Sequence, residues 1–252
     1  PDQAFADAEK EFARIEHELA FVARQLWSTL FPGEVLPPDD ADGRRELIRR
    51  VLAEIGKDHS TADSLLKDTQ ATVGAIKEFI AKADILKLPA PDRCEIRTMP
   101  GFARGNSLAY LNPAPPLDTR ATSEYAVSPP PEGWDDRKVQ SLLAEYNRAM
   151  LQILTIHEAY PGHYVQLEYG NRNPSLIRRV FASGTFAEGW AVYAEQVMLD
   201  QGYGNGDLKL RMQQLKFYLR AVGNAILDHN MHAGTWTDDQ ALDFLTTRAL
   251  QT

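Results

Sequence analysis

Two histidines and a glutamate in one short stretch of the sequence could bind a metal ion and activate water. His157 and Glu158 are adjacent, and His163 follows six residues after His157. Two imidazoles and a carboxylate that converge on one point are the usual ligands of a catalytic zinc ion, which leaves one position to water. A glutamate directly after the first histidine is then placed to take the proton of that water.

The spacing of the two histidines requires a break in the helix that carries them. In the common form of this motif they lie four residues apart, on one helical face. Residues six apart on a regular helix point about 240° away from each other. Pro161 removes a helical hydrogen bond, and Gly162 permits backbone angles that other residues resist. We therefore expect a kink or bulge at this pair, which absorbs two extra residues and brings both imidazoles to one ion.

Two motifs of the sequence resemble those of a known bacterial family. The stretches HEAYPGHYVQ and EGWAVYAEQ, which begin at His157 and Glu188, are similar to the signatures HEAxPGH and EGWAxYxE of domain of unknown function 885. Members of that family are regarded as zinc metallopeptidases distantly similar to the gluzincins, in which a glutamate on a second helix is the third metal ligand. The resemblance extends from Arg97 to Leu245 and is strongest at the two motifs.

This resemblance implies a role for each chemical group of the two motifs. It implies that His157, His163 and Glu188 bind zinc and that Glu158 is the catalytic base. The family commonly has a second histidine where this chain has Tyr164. Family chains are also usually longer at both ends, so we expect this chain to be a fragment or a trimmed form.

Three further residues are candidates for supporting roles. Glu195 lies seven residues after Glu188 and therefore on the same helical face, where it could orient a ligand imidazole; the alternative is a solvated carboxylate. His232 lies in LDHNMHAGTW, which resembles another pattern of the family, and is a candidate to stabilise an oxyanion; the alternative is a structural histidine at a helix end. Tyr193 could place its hydroxyl near the zinc, although most aromatic residues at such positions pack in a core.

The expected fold class is mainly α-helical, with a small β-sheet or hairpin before the metal-binding helix. Apolar residues at alternating spacings of three and four predict helices through residues 1–88, which we interpret as an N-terminal helical part. Residues 89–252 are then the catalytic part, and both parts belong to one compact unit. One helix is expected to run from Asp135 to His157 and to present the first motif at its C-terminal end.

Two short segments before that helix are typical of strands. Cys94–Thr98 and Ser107–Leu111 are bounded by proline or glycine, and Gly101 and Gly105 would allow a tight or mobile connection between them. The proline-rich segment 112–134 predicts a long ordered loop or linker, which is either a cleft wall or lid or a mere spacer.

A peptide substrate is expected to lie along the exposed edge of this sheet as an extra strand. The second strand would then form a cleft rim within reach of the zinc; the alternative is a hairpin far from the site. Pro113 directly after this strand cannot donate to a ladder and would stop further pairing. The predicted contact residues are Ser107, Leu108, Ala109 and Tyr110.

Charge and composition restrict the partners. The 252 residues include 27 Lys and Arg against 35 Asp and Glu, and this net charge of −8 argues against a nucleic-acid or anionic-membrane partner. Cys94 is alone, so an internal disulfide is impossible. Neither a membrane-spanning apolar stretch nor a signal peptide is visible. We expect a soluble protein, either cytoplasmic or exported after removal of a signal; the sequence does not indicate its oligomeric state.

The leading functional hypothesis is a zinc-dependent peptide hydrolase. One alternative is a non-catalytic or degenerate metal-binding protein that recognises peptides, and another is a zinc amidohydrolase that acts on a non-peptide amide. A structural zinc site is more often closed by four side chains, frequently including cysteine, and does not need Glu158. The sequence therefore favours an enzyme, without distinguishing a peptide from another amide.

Overall fold

Helices dominate this protein. A computed structural model describes residues 2–104 and 107–251, and Gly105 of the expected connection lies outside the described residues. The α-helices of the described part are α1 Asp2–Leu30, α2 Ala41–Gly56, α3 Leu65–Ala83, α4 Asp136–Glu145, α5 Arg148–Glu158, α6 His163–Asn171, α7 Leu176–Val180, α8 Gly184–Asp200, α9 Leu208–His232 and α10 Asp238–Asp243. The strands are β1 Cys94–Thr98, β2 Ala109–Asn112 and β3 Ser123–Val127. The predicted fold class, mainly α with a small sheet before the metal-binding helix, is confirmed.

The chain forms two compact units, whose bounds differ from the expected division into 1–88 and 89–252. The first unit comprises Pro1–Lys57 and Asp207–Thr252, and the second comprises Asp58–Gly206. The first unit is built on α1, which packs against α2 and α9 and buries an apolar stripe. In the second unit α3 packs against α5 and β1. Buried apolar faces therefore group helices that are distant in sequence, which a single cut in the chain cannot reproduce.

The sheet is organised around β3, which the sequence did not reveal. β3 lies in the middle, parallel to β1 and antiparallel to β2. The interpretation of residues 112–134 as a loop or linker is therefore wrong for Ser123–Val127. This segment is short and flanked by prolines, and its strand conformation is stabilised by pairing on both sides and by burial of Tyr125 and Val127. β1 has the predicted bounds, whereas β2 begins two residues later than expected and ends one residue later.

The helix that carries the first motif is shorter than expected. The predicted helix from Asp135 to His157 is two helices, α4 and α5, separated at Tyr146 and Asn147. The buried side chain of Asn147 accepts hydrogen bonds from the backbone N–H groups of Ala149 and Met150, both 3.1 Å long. Asn is a favoured N-cap residue because it satisfies the first unpaired N–H groups of a helix. α5, which carries His157, thus begins at its own cap and packs against α3 and α8.

A buried carboxylate between two arginines connects α6 to the sheet. Glu168 of α6 is 1% exposed and accepts hydrogen bonds from Arg93, before β1, and from Arg172 at 2.6–3.2 Å. Arg172 also donates to the carbonyl oxygens of Ala90 and Pro91. A carboxylate taken out of water is stable only when it is paired in this way. The cluster therefore fixes the direction of α6 relative to β1.

None of the helices within residues 2–104 and 107–251 has both the length and the apolar character needed to cross a membrane.

We expect Glu168→Gln to lower the free energy of unfolding by about 3 kcal/mol, because it removes the charge that neutralises two arginines in a buried cluster. Urea unfolding followed by circular dichroism measures the change. The matched control is Glu132→Gln, whose side chain is exposed and which should change stability by less than about 0.5 kcal/mol. Equal stability of the two variants would contradict the role given to the cluster.

Candidate metal centre

The turn between α5 and α6 returns the chain onto its own helix. α5 ends at Glu158 and α6 begins at His163, so the expected break at Pro161 and Gly162 is present. The N–H of Gly162 donates to the carbonyl oxygen of Ile156 at 2.9 Å. A Cβ atom at Gly162 would collide with the carbonyl oxygens of Ile156 and His157. Glycine is needed here because of this close approach to the backbone.

The turn brings three metal-ligand side chains together. Nε2 of His157 and Nε2 of His163 each lie 3.7 Å from the same carboxylate oxygen of Glu188. One ligand atom from each residue falls within 4.8 Å of the others. Within residues 2–104 and 107–251 this is the one group of three or more His, Cys, Asp or Glu residues close enough to hold an ion. Burial lowers the pKa of His163, which favours the neutral imidazole that a metal requires.

Glu195 orients the first imidazole. Its Oε1 lies 2.7 Å from Nδ1 of His157, and its side chain is fully buried. When Nδ1 carries the ring proton and donates it to this carboxylate, Nε2 presents its lone pair toward Glu188 and His163. Burial, followed by the negative charge of Glu158, raises the pKa of the Glu195 carboxyl well above its ordinary value. The sequence-based interpretation placed Glu195 in this role, with a solvated carboxylate as the alternative; the side chain is not solvated.

Glu158 lies between the metal-ligand cluster and the edge of the sheet. Its Oε2 accepts a hydrogen bond of 3.0 Å from the backbone N–H of Leu111 in β2. Burial raises the pKa of Glu158 to about 7, the N–H of Leu111 lowers it, and the charge of Glu188 raises it further. The N–H of Leu111 therefore fixes one of the two carboxylate oxygens of Glu158.

The indole of Trp190 connects the turn to the helix that carries Glu188. Its Nε1–H donates to the carbonyl oxygen of Pro161 at 2.9 Å. The second motif therefore supplies a ligand, the brace Glu195 and a direct contact with the first motif, all from α8. The hydrogen bonds from Trp190 and from Leu111 were both missed, and the second has no sequence signal, since every residue except proline carries a backbone N–H.

Tyr193, His232 and Tyr164 do not belong to the cluster of His157, His163 and Glu188. Tyr193 is exposed, and its ring centroid lies 6.1 Å from that of Trp190. His232 belongs to the first unit, where its exposed ring contacts Asp228, so its role as oxyanion donor stays a prediction. Tyr164, at the position where the family commonly has histidine, is fully buried, and its hydroxyl accepts the N–H of Arg93 at 2.7 Å.

Of the predicted substrate-binding residues, Ala109 and Tyr110 lie on β2, the strand that contacts Glu158, and Ser107 and Leu108 directly precede it. Ser107 is exposed and Tyr110 is half-buried. The side chains of Leu108 and Ala109 are buried and belong to the core. Leu108 and Ala109 are only 2% and 5% exposed as whole residues, so their backbone is buried together with their side chains.

The charges of the cluster suit a cation. Three carboxylates, those of Glu158, Glu188 and Glu195, surround two imidazoles, and within the described part of the chain no arginine or lysine pairs with any of them. Oε2 of Glu195 is buried without a hydrogen-bond partner among the described residues. Two imidazoles and one carboxylate form a ligand set of catalytic zinc sites, with a carboxylate behind a ligand imidazole as a common support. The residues present therefore fit a zinc ion held by His157, His163 and Glu188.

Comparison with known proteins supports the fold and gives the family. The sequence matches the family described as bacterial protein of unknown function, DUF885, over residues 1–252. A solved structure from Shewanella oneidensis, described as a "putative lipoprotein of unknown function", shares 32% identity with a TM-score of 0.85, and the match covers 100% of this chain and 44% of that one. A "putative lipoprotein" from Colwellia psychrerythraea has 19% identity and a TM-score of 0.77, covering 100% of this chain and 40% of that one. No curated protein matches the sequence.

The fold and the site together define a class: mainly helical proteins with a small mixed sheet and a His–His–Glu cluster between helices. The chain belongs to the DUF885 family of bacterial proteins. It spans less than half the length of the two solved structures that it resembles.

Replacing Gly162 tests the geometry of the turn. We expect Gly162→Ala to lower the free energy of unfolding by about 1–3 kcal/mol or more, because the added methyl group overlaps two carbonyl oxygens. The control is Gly74→Ala in α3, where a Cβ meets no atom within 4 Å and should stabilise the helix by about 0.5–1 kcal/mol. Thermal and urea unfolding distinguish the two. A stable Gly162→Ala variant would show that the turn is not restricted by this close approach.

Proposed function

We propose that this chain contains the metal-binding core of a zinc-dependent peptide hydrolase of gluzincin-like type. The observation that supports this proposal best is the convergence of His157, His163 and Glu188 beside a buried Glu158 whose one oxygen is held by the edge of a sheet. A cluster built for structure alone would need neither the additional carboxylate of Glu158 nor an adjacent strand edge. The resemblance of the two motifs to the family signature points to the same chemistry.

Each group of the site has a defined task in this proposal. His157, His163 and Glu188 would bind the ion, and Glu195 would keep the ring of His157 in the required tautomer. When bound, zinc supplies Lewis acidity, which polarises a substrate carbonyl and makes water a stronger acid. Oε1 of Glu158 takes a proton from the attacking water and passes it to the leaving amine, as general base and then general acid. The N–H of Leu111 holds Oε2 of Glu158 and fixes the direction of Oε1.

The edge of β2 is the proposed binding strip for the peptide. β2 is an edge strand, because β3 occupies one of its sides. The N–H of Leu111 points away from β3, since it donates to Glu158. In an antiparallel pair alternate residues point their N–H and C=O groups to the same side. The N–H and C=O of Ala109 therefore also point away from β3. A peptide that adds to this edge through main-chain hydrogen bonds would pass directly beside Glu158.

Two alternative functions differ from this proposal in the groups that they need. A degenerate protein that binds metal and peptide without cleavage would keep the zinc but not need Glu158. A zinc amidohydrolase that acts on a non-peptide amide would use the same groups but would not need the strand edge. The experiments below separate the three.

Zinc binding depends on the three ligands and on their support. We expect the double variant His157→Ala/Glu188→Ala to lose zinc and Glu195→Gln to bind it about 10–100-fold more weakly, because the ligand imidazole loses its charged partner. Competition with a chromogenic chelator measures the affinity, and Glu132→Gln is the control. Full zinc retention in the double variant would refute the ligand set.

Glu158→Gln keeps size and shape but removes the proton acceptor. We expect near-normal zinc content and hydrolysis of a peptide library slowed by at least about 10²-fold. A chelator should abolish cleavage by the unaltered protein, and added zinc should restore it. Undiminished turnover in Glu158→Gln would move the base elsewhere. Absence of peptide cleavage by the zinc-loaded protein would favour a degenerate protein that binds metal and peptide without cleavage, or the non-peptide amidohydrolase.

The strand edge is tested through the backbone of Ala109. Ala109→Pro removes an outward N–H without removing a hydrogen bond to β3, so we expect a raised KM or loss of peptide cleavage with normal zinc content. Ala109→Ser, which retains the N–H, is the matched control and should leave KM nearly unchanged. Steady-state kinetics on one cleaved peptide provide the measurement. The same KM in both variants would place the peptide elsewhere.

A further inference from the structure

α7 presents its apolar side to solvent. Leu176, Ile177 and Val180 fall within an arc of about 100° on the helix and are 60%, 69% and 44% exposed. Arg179, which lies about 60° from Leu176 and outside this arc, is the one residue of α7 that is not exposed. It lines the same recess as Glu168 and Arg172. An amphipathic helix on the surface of a complete protein normally has the reverse orientation.

The exposed apolar surface continues to the start of α8. Phe181 and Phe186 are 76% and 58% exposed. Residues 176–189 are all described, and none of them is buried. The second half of α8, in contrast, buries Ala191, Ala194, Glu195 and Met198. We call the surface formed by Leu176, Ile177, Val180, Phe181 and Phe186 the α7 face.

Glu188 lies two residues after the α7 face, in the first half of α8, where none of residues 184–189 is buried. Its side chain is 70% exposed, whereas those of His157 and His163 are 10% and 12% exposed. A metal site with two fixed ligands and one unsupported ligand is incompletely ordered, because ligand geometry depends on the packing behind it. A contiguous apolar patch of several large side chains on the surface commonly marks an interaction site.

We propose that the α7 face is an interface covered, in the complete protein, by polypeptide of the same protein that lies outside these 252 residues. The two related structures match this chain over its whole length, yet 56% and 60% of their own chains lie outside the match, from 100 − 44 and 100 − 40. These relatives therefore have ample polypeptide to form such a cover. The covering surface is apolar at its centre, with acidic groups at its rim opposite the exposed Arg178.

Charge disfavours two other occupants. A second copy of this chain would carry the same net charge of −8 and be repelled as a whole, and an anionic lipid surface would repel the same charge. A lipid surface would also have to accommodate the carboxylate of Glu188, which follows Phe186 by only two residues. Covering polypeptide, in contrast, can fix the first turns of α8 and form one wall of the metal centre.

Thiol accessibility in the complete protein tests the proposal without requiring enzymatic turnover, so its failure is distinct from failure of the proposed function. Ile177→Cys and Phe181→Cys are compared with Gln70→Cys, an exposed position on α3 of the same unit. Each variant is alkylated with iodoacetamide in native buffer and in denaturant, and labelling is read for each peptide by mass spectrometry. This separates the introduced thiol from that of Cys94.

We expect both α7-face thiols to react at least about tenfold more slowly than the thiol at position 70 in native buffer, and at similar rates in denaturant, because thiol reactivity depends on access. Native rates within about twofold of the control would overturn the proposal. Protection that disappears on dilution would identify a second copy instead, and protection that appears only with anionic phospholipid vesicles would identify a membrane; both results would also overturn it.

Discussion

The close approach of Gly162 to the end of α5 is the constraint on which the metal centre depends. Because this residue has no side chain, its backbone can pack against the carbonyl oxygens of Ile156 and His157. The chain therefore reverses within one short turn and returns His163 to the ring of His157, with centroids 4.7 Å apart. The hydrogen bond from Trp190 to Pro161 then connects this turn to α8 and to the third ligand. Ligands that lie on three helices are thus brought together by one turn and one indole.

The electrostatics of the second unit differ between its two carboxylate clusters. Glu168 has an arginine on each side and is a structural connection between α6 and β1. Glu158, Glu188 and Glu195 have only imidazoles and backbone for partners among the described residues, and burial raises the pKa of Glu158 and of Glu195. Burying like charges without a cation costs stability. The contrast between the clusters is the physical reason to assign one to the stability of the fold and the other to a bound cation.

The small sheet supports the site through its central strand. β3 pairs with both neighbours, and the side of β2 that faces away from β3 meets Glu158 through Leu111. The bounds of β1 could be predicted because a short run of residues typical of a strand lies between turn residues. β3 could not be recognised in the same way, because its strand signal is weak beside the prolines around it and its stability comes from pairing with segments that are distant in sequence. The division into two units has the same origin, since the packing of α9 against α1 is decided by apolar faces and not by chain order.

The sequence by itself indicated which residues form the candidate metal centre. His157, Glu158 and His163 are recognisable because chemistry of this kind needs those side chains near one another, and the Pro-Gly pair indicates the break that their spacing requires. Only the tertiary structure decided what surrounds them: the N–H of Leu111 on Glu158, the depth at which Glu195 is buried, and the outward apolar side of α7. A backbone donor has no residue signature, and burial and exposure depend on which surfaces meet when the chain folds.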